Sequence, residues 1–369
     1  MNIIDTITER YEKLRPADEG GGAEPTRRHV LKAAPAVAAA LAVGAIGLRT
    51  RLVAAQDATP AASPVVSGVQ DATPAATPTD GAIPAEMGAR FDAMPAFADV
   101  AYADASDTQL LDIYLPEGDG PFPVVVNFHA GGFTFGDKGE VPTKVGNALL
   151  DAGYAVVGVG YRLFGEATFP AAVLDARAAV HFLRANADAY RLDPDRIAAF
   201  GQSAGENLAA MLGTTGDDAP FDDASLGNAD VSNEVQLVID WFGPTDFGQL
   251  DAQAKAQGCP AADQTYGSAD SIAAACLGAP IGSVPELVSE ANPITYLNGS
   301  EPPFLIQKGD QDCTVAIENT KMLADALSAA GVDVEYDLLA GGGTATLGRR
   351  RCSRARRTSS GSWPSLTTT

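Results

Sequence analysis

Short apolar runs of strand length recur along the chain, and turn residues separate them. One run, LLDIYLP (residues 110–116), alternates between apolar and polar positions as a half-buried strand does. The others are nearly continuous, which is typical of strands buried on both faces of a parallel sheet. They are PVVVNFH (123–129), AVVGVGY (155–161), RIAAFGQ (196–202), VQLVIDWFG (235–243) and PFLIQKG (303–309), and the run VDVEYDLLA (332–340) closes the series. The pattern predicts a sheet of buried, mostly parallel strands.

Helical periods lie between several of these strands. Apolar residues in 171–185 and 317–330 recur at the spacing that places them on one helix face. Strands that alternate with helices predict an α/β domain, here residues 91–340, with helices on both faces of its sheet. Residues 247–292 are irregular and rich in Gly, Pro and Asp, and they are predicted to form a cap-like insertion over one end of the sheet.

The first 55 residues have the layout of an export signal. A pair of arginines (27–28) precedes the apolar run 33–48, which is shorter than the roughly 20 residues of a spanning helix. This order resembles a twin-arginine signal cleaved after Ala55, so we expect export to the periplasm, cell surface or medium. No membrane span is expected after cleavage, and an uncleaved membrane anchor is the alternative. Residues 56–90 repeat QDATPAA and are predicted to be a low-complexity linker.

Charge and cysteine content narrow the possible partners. A net charge of −22 over 369 residues argues against nucleic-acid binding, which needs a basic surface. The four cysteines form no CxxC pair and no Cys/His metal spacing, so a zinc site is not expected. In an oxidising compartment Cys259 and Cys276 are the natural disulfide pair, because both lie in the insertion. Cys313 competes for either, and spacing does not decide.

A candidate nucleophile lies in the segment AAFGQSAGENLAAML. Ser203 stands between an apolar strand and an Ala/Leu-rich helix, with glycines at 201 and 205. A sharp strand-to-helix turn strains the backbone at such a serine, and only small flanking residues tolerate the crowding. The helix that starts at Ala204 directs its amides, with their partial positive charge, toward the reaction centre. The pattern predicts a nucleophile elbow.

The segment NFHAGGFTFGD predicts an oxyanion loop. Gly131 and Gly132 follow an apolar strand, and paired glycines let backbone N–H groups turn toward a ligand. Together with the amide of Ala204, such donors stabilise the charge that develops on a carbonyl oxygen during acyl transfer. His129 ends the strand, and we interpret it as a residue that braces the loop rather than as the base.

These motifs, taken in order, resemble the α/β-hydrolase carboxylesterases and lipases, in particular the branch related to hormone-sensitive lipase. The resemblance rests on LLDIYLP, HAGGF, LDPDRIAAFGQSAG, DWFGPTD and PPFLIQKGDQDCTV, and it covers about residues 91–340. It implies that Ser203 is the nucleophile and that Gly131, Gly132 and Ala204 donate the oxyanion amides. It also implies that Asp312 is the acid of the triad, with Asp310 as the runner-up.

Three positions depart from the family pattern. Ala130 replaces the first glycine of the oxyanion loop, at a position that is not an assigned donor. Glu206 replaces the second glycine of GxSAGG, where it would either disturb the pocket or point to solvent. The third departure is the loop after the last strand, where the family carries the triad histidine and this chain reads GGGTA.

No histidine follows His181 in the chain, and residues 341–369 are unlike the rest. This tail carries arginines but no Asp or Glu in an otherwise acidic protein, and it lacks the apolar periodicity of a closing helix. Codons read one base earlier from Gly343 can spell His-Gly-Asp-Pro. We therefore expect a frameshift in the gene or its sequencing rather than a redesigned active site.

The resemblance implies a serine carboxylesterase that hydrolyses small or medium carboxylic esters through an acyl-enzyme intermediate. Loss of the triad histidine predicts impaired activity in the chain as written. The alternatives are a catalytically silent binding protein that retains the hydrolase fold, and a serine peptidase. The expected partner is a small-molecule ester, and the resemblance implies neither a metal nor an organic cofactor.

Overall fold

The structure, a computed structural model, describes residues 89–216, 221–261 and 264–343. The strands are β1 (Phe97–Ala101), β2 (Leu110–Tyr114), β3 (Phe122–Phe128), β4 (Ala155–Val159), β5 (Leu192–Gln202), β6 (Leu237–Trp241), β7 (Phe304–Gly309) and β8 (Val334–Leu339). The helices are α1 (Thr143–Asp151), α2 (Ala171–Ala185), α3 (Ala187–Tyr190), α4 (Ala204–Thr215), α5 (Leu250–Gln257), α6 (Ile272–Leu277), α7 (Pro285–Glu290) and α8 (Ile317–Ala329). The predicted export signal, most of the linker and nearly all of the tail lie outside the described residues.

The strands form one sheet in the order β1-β2-β4-β3-β5-β6-β7-β8. β2 is antiparallel to both of its neighbours, whereas every pair from β4 to β8 is parallel. The predicted mostly parallel sheet is therefore confirmed. Because the carboxyl ends of parallel strands lie at one edge, the loops that follow β3, β5, β7 and β8 all start at that edge.

Both faces of the sheet are covered, as continuous apolar strands require. Val124 and Val126 of β3 point into the larger core, to which α2, α4 and α8 contribute apolar residues. Val125 points into the opposite core, which contains Leu149 of α1. The predicted helices on both faces are confirmed, and none of the described helices is long and apolar enough to cross a membrane.

The predicted insertion, residues 247–292, is more regular than its composition suggested. It contains the short helices α5, α6 and α7, and each begins or ends at a local signal such as Ser271, whose hydroxyl accepts a hydrogen bond from the amide of Ala274. Such short helices, of about two turns or fewer, hold too few residues for a helical period to stand out in the sequence. The insertion is thus a set of brief helical segments.

A disulfide links Cys259 to Cys313, with Cα atoms 5.5 Å apart. The expected Cys259–Cys276 pair is wrong: the thiol of Cys276 is buried in the larger core, on α6. Cys259 follows α5 and meets the loop after β7, which is distant in sequence but close in space. The bond therefore ties the insertion to the loop that holds Asp312.

Replacing Cys259 and Cys313 together with Ser is expected to lower the free energy of unfolding by about 2–4 kcal/mol, because the bond closes a long loop in the unfolded chain. Denaturant unfolding of the oxidised native chain and of the double variant measures this difference. A reductant should bring the native chain to the level of the variant and leave the variant unchanged. Equal stability of the two oxidised proteins would contradict the assignment.

Candidate active site

Ser203 lies at the tip of a sharp turn between β5 and α4. Its backbone angles, φ 51° and ψ −117°, are in a region that non-glycine residues rarely adopt. Such a residue costs on the order of 1–3 kcal/mol and persists where the surrounding structure enforces it. Here the Ser203 N–H donates to the carbonyl oxygen of Trp241 at 2.9 Å, and its own carbonyl accepts from the N–H of Glu206 at 3.0 Å. The turn has the geometry of a nucleophile elbow.

The two glycines of the elbow leave no room for a side chain. A Cβ atom at Gly201 would overlap the carbonyl group of Gly205. A Cβ at Gly205 would lie 2.6 Å from the carbonyl oxygen of His129 and closer still to that of Phe128. The start of α4 therefore packs directly against the end of β3, where the oxyanion loop begins.

The oxyanion loop contains two consecutive glycines with positive φ. Gly131 has φ +126° and Gly132 has φ +56°, and the Gly131 carbonyl accepts hydrogen bonds from the N–H and the hydroxyl of Thr134 at 3.0 and 3.1 Å. Within the described part of the chain, no acceptor pairs with the N–H groups of Gly131 and Gly132. The amide of Ala204, first in α4, has no partner within the helix either. The three predicted donors thus lie on adjoining segments with their N–H groups available.

His129 braces the oxyanion loop from inside. Its Nδ1 lies 2.7 Å from the carbonyl oxygen of Ala130, its own carbonyl accepts from the Tyr161 hydroxyl at 2.8 Å, and the two rings stack with centroids 4.2 Å apart. Burial lowers the pKa of His129 to about 4, so the ring is neutral at pH 7. These contacts support the interpretation of His129 as a bracing residue rather than as the base.

Asp312 is buried in the loop after β7, and both of its carboxylate oxygens have partners. Oδ1 accepts from the N–H groups of Thr314 and Val315 at 2.9 and 3.1 Å, and Oδ2 accepts from Lys308 Nζ at 2.7 Å. Lys308 is buried as well, so this ion pair is closed to solvent. The insertion holds the same loop, because Gln257 Nε2 donates to the Asp312 carbonyl oxygen at 2.7 Å.

Lys308 is a site residue that the sequence analysis missed. The sequence did contain a signal for this ion pair, because Lys308 interrupts an apolar strand four residues before Asp312. The runner-up acid, Asp310, is placed differently: it is half-buried, and its carboxylate accepts from the N–H of Gly341. It therefore braces the loop after β8, whereas Asp312 lies deeper.

The loop after β8, where the family carries its base, begins beside the acid loop. The N–H of Gln311 donates to the Gly342 carbonyl oxygen at 2.7 Å. Gly343 is the last described residue, so Thr344 and the predicted frameshift lie outside the described residues. His181 is in α2, where its Nδ1 contacts the Val231 carbonyl oxygen and its Nε2 lies 3.6 Å from Asp222. Neither described histidine belongs to the loop after β8.

The insertion reaches the oxyanion loop through Ile272, the first residue of α6. A Cβ atom on Gly132 would lie 3.1 Å from Ile272 Cδ1. Ile272 and Phe135, a residue of the oxyanion loop, are 44% and 41% exposed, which is unusual for large apolar side chains. They form an apolar rim beside the predicted oxyanion donors. Neither residue could be identified from the sequence, because nothing in the sequence shows that α6 lies over this loop.

Glu206 points inward. Its side chain is fully buried between α4 and the end of β6, so the alternative that it faces solvent is wrong.

Comparisons with known proteins agree with the fold and with the order of the motifs. The model of the family described as BD-FAE matches residues 111–327, more than half of the chain. Esterase LipC of Mycobacterium tuberculosis is 27% identical over 232 residues, which are 62% of this chain and 54% of that protein. Ethyl acetate hydrolase of Pseudomonas putida is 36% identical over 103 residues, 27% of this chain and 32% of that protein. The chain spans about half the length of the first curated relatives it matches.

Solved structures show the same architecture. A truncated form of a carbohydrate esterase from gut microbiota superposes with a TM-score of 0.61 at 26% identity, covering 69% of this chain and 92% of that one. A bifunctional GH43-CE protein of Bacteroides eggerthii gives a TM-score of 0.61 at 31% identity, over 67% of this chain and 35% of that one. The predicted α/β-hydrolase fold is confirmed.

Gly205→Ala is expected to lower the free energy of unfolding by about 1–3 kcal/mol, because the added methyl group must displace backbone atoms of β3. Gly165→Ala is the matched control: Gly165 is exposed, has no positive φ, and would place its Cβ in open space. Thermal denaturation of the two variants measures the difference. Equal effects of the two substitutions would show that the elbow is not as tightly packed as described.

Proposed function

The chain belongs to the BD-FAE family, and from this we propose that it is an ester hydrolase that forms an acyl-enzyme on Ser203. The observation that carries the proposal is the strained turn at Ser203, with the amides of the oxyanion loop and of α4 beside it. Strain of this kind is retained where it exposes a reactive side chain. The named esterases among its relatives support the same reaction.

The chemistry follows from the placement of these groups. Ser203 Oγ attacks the ester carbonyl carbon while a base takes its proton, and the carbonyl oxygen becomes an oxyanion. The N–H groups of Gly131, Gly132 and Ala204 stabilise that charge, and removal of one such donor costs about 10²–10³ in rate. The base then protonates the leaving alcohol, and water releases the acyl group by the reverse sequence of proton transfers.

The chain as written has no histidine in the loop after β8, where the base is expected. We propose that Asp312 orients a histidine from the loop after β8, and the hydrogen bond between the two loops supports this. We propose that the reading frame shifts near Gly343 and that the restored frame supplies this histidine. Without it, turnover falls by a factor on the order of 10⁶.

The substrate class is proposed from the neighbours and from the rim of the site. Two structures of 26% and 31% identity carry names that include a carbohydrate esterase or a CE module. The apolar rim formed by Ile272 and Phe135 suits a small acyl group beside the oxyanion donors. We propose small acyl esters, including those carried by carbohydrates.

Export remains part of the proposal. A twin-arginine signal in residues 1–55 would deliver the folded protein to an oxidising compartment. The Cys259–Cys313 disulfide supports this, since structural disulfides are rare in reducing compartments.

A catalytically silent binding protein is the second candidate, and one contact favours it. Lys308 Nζ donates to Asp312 Oδ2 at 2.7 Å, while the N–H groups of Thr314 and Val315 donate to Oδ1. An acid already neutralised by a buried lysine is less able to stabilise an imidazolium ion.

Hydrolysis of p-nitrophenyl acetate separates the two candidates. The frame-restored chain is expected to turn over faster than the chain as written by a factor on the order of 10⁴–10⁶, since only it supplies a base to Ser203. Ser203→Ala should abolish the gain in the frame-restored chain. Comparable weak rates in all three proteins, with the fold intact by circular dichroism, would support the silent binding protein.

A further inference from the structure

The carboxyl group of Glu206 is enclosed by protein. Glu206 is the third residue of α4, and its side chain has no solvent exposure. Its carboxylate fills the space beside Gly243, where a Cβ atom would overlap it. In the described part of the chain, neither of its oxygens accepts a hydrogen bond from an N–H group or a hydroxyl. A buried carboxylate without donors is costly, because nothing replaces its lost hydration.

The carboxyl group of Asp240 is likewise enclosed by protein and, within the described chain, without hydrogen-bond donors. Asp240 lies in β6, its side chain has no solvent exposure, and neither of its oxygens has an N–H or hydroxyl donor among the described residues. Asp240 pairs in parallel register with Gly201, and a Cβ atom at Gly201 would lie 2.5 Å from Glu206 Cα, so the side chains of Asp240 and Glu206 lie beside each other on the same face of the sheet. The charge of Asp240 accordingly contributes to raising the pKa of Glu206. Two ionised carboxylates in contact repel each other, whereas one protonated carboxyl group donates a hydrogen bond to the other.

The charged and titratable groups around the pair do not neutralise both carboxylates. Among the described residues, one cation, Lys308 of β7, interacts with both, and its ammonium group is already bound to Asp312 at 2.7 Å. Tyr336 of β8 is a neighbouring titratable group: burial, and then the charge of Asp240, raise the pKa of its hydroxyl group to about 12. A proton on one carboxyl group of the pair therefore reduces the negative charge that Lys308 faces.

The pair lies directly behind the nucleophile elbow. Asp240 precedes Trp241, whose carbonyl oxygen accepts the N–H of Ser203, and the N–H of Glu206 donates to the carbonyl oxygen of Ser203. A hydrogen bond between the two side chains therefore joins the first turn of α4 to β6, at Glu206, which holds the Ser203 backbone, and next to Trp241, which also holds it. Repulsion between two ionised carboxylates here would act on the strained turn at Ser203, because both groups lie directly behind it.

We propose that Glu206 and Asp240 share one proton at neutral pH and act together as positioning residues that hold the start of α4 against β6 behind Ser203. The two carboxyl groups form a short hydrogen-bonded link inside the protein. The proton is carried mainly by Glu206, and Asp240 is the acceptor that faces Lys308.

Because the two carboxyl groups share a proton, the free energy of unfolding should depend on pH. Burial, followed by the charge of Asp240, raises the pKa of Glu206 well above its usual range, and burial raises the pKa of Asp240 to about 6. The unfolded chain releases these protons at the ordinary pKa values of about 4. The favourable contribution of a group with a raised pKa is complete below its unfolded pKa and is lost as the pH rises toward its folded pKa.

Glu206→Gln tests the proposal, because glutamine has the same shape, stays neutral and can donate to Asp240 through its amide. Between about pH 5 and pH 8, the folding equilibrium constant of the native chain should fall relative to that of the variant, by up to tenfold for each pH unit. Glu286→Gln, on the exposed face of α7, is the matched control and should follow the native chain. Stability curves of the native chain and Glu206→Gln that stay parallel over this range would overturn the proposal.

Infrared spectroscopy keeps the proposal testable if the variant does not fold. Native protein with isotope-labelled glutamate should show the band of a protonated carboxyl group above pH 7, shifted by the label. Absence of such a band from a folded native protein would overturn the shared proton. Both measurements detect protonation, so their outcome does not depend on whether the chain hydrolyses esters.

Discussion

The strand-to-helix turn at Ser203 is the constraint on which the rest of the site depends. Gly201 lets the start of α4 approach β5, and Gly205 lets it approach β3, so closely that no side chain fits at either position. Ser203, between these two contacts, has a positive φ, and the first amide of α4 lies beside the oxyanion loop. Two close contacts between backbones therefore position the predicted nucleophile and the donors that would stabilise its transition state.

Buried charge surrounds this turn on the side away from solvent. Asp312 is fixed by Lys308 and by backbone amides, and the loop that holds it is tied to the insertion by Gln257 and the Cys259–Cys313 disulfide. Removing one partner of such an ion pair leaves an uncompensated buried charge, at a cost of about 3–5 kcal/mol. The loop that holds Asp312 is therefore fixed at several points, and in the proposed mechanism the missing group belongs to the loop after β8.

Much of the fold could be predicted from the sequence, because buried parallel strands are continuous apolar runs and the elbow has a distinctive pattern. β1 and α1 were not predicted, since β1 is short and half-exposed and α1 mixes polar and apolar residues. The sequence favoured Cys276 over Cys313 as the partner of Cys259 but did not decide between them, because chain spacing does not show that α5 ends beside the loop that holds Asp312. The burial of Glu206 and Lys308 likewise depends on how α4, β6 and β7 pack together, which no local pattern encodes.

The central claim is that Ser203 is a nucleophile that lacks only its base. Its most direct test is mass spectrometry of the frame-restored chain after treatment with a fluorophosphonate, which traps an activated serine as a covalent adduct. One adduct is expected, on the peptide that contains Ser203, and the chain as written should be labelled much more slowly. An adduct on another serine, or equal labelling rates of the two chains, would contradict it.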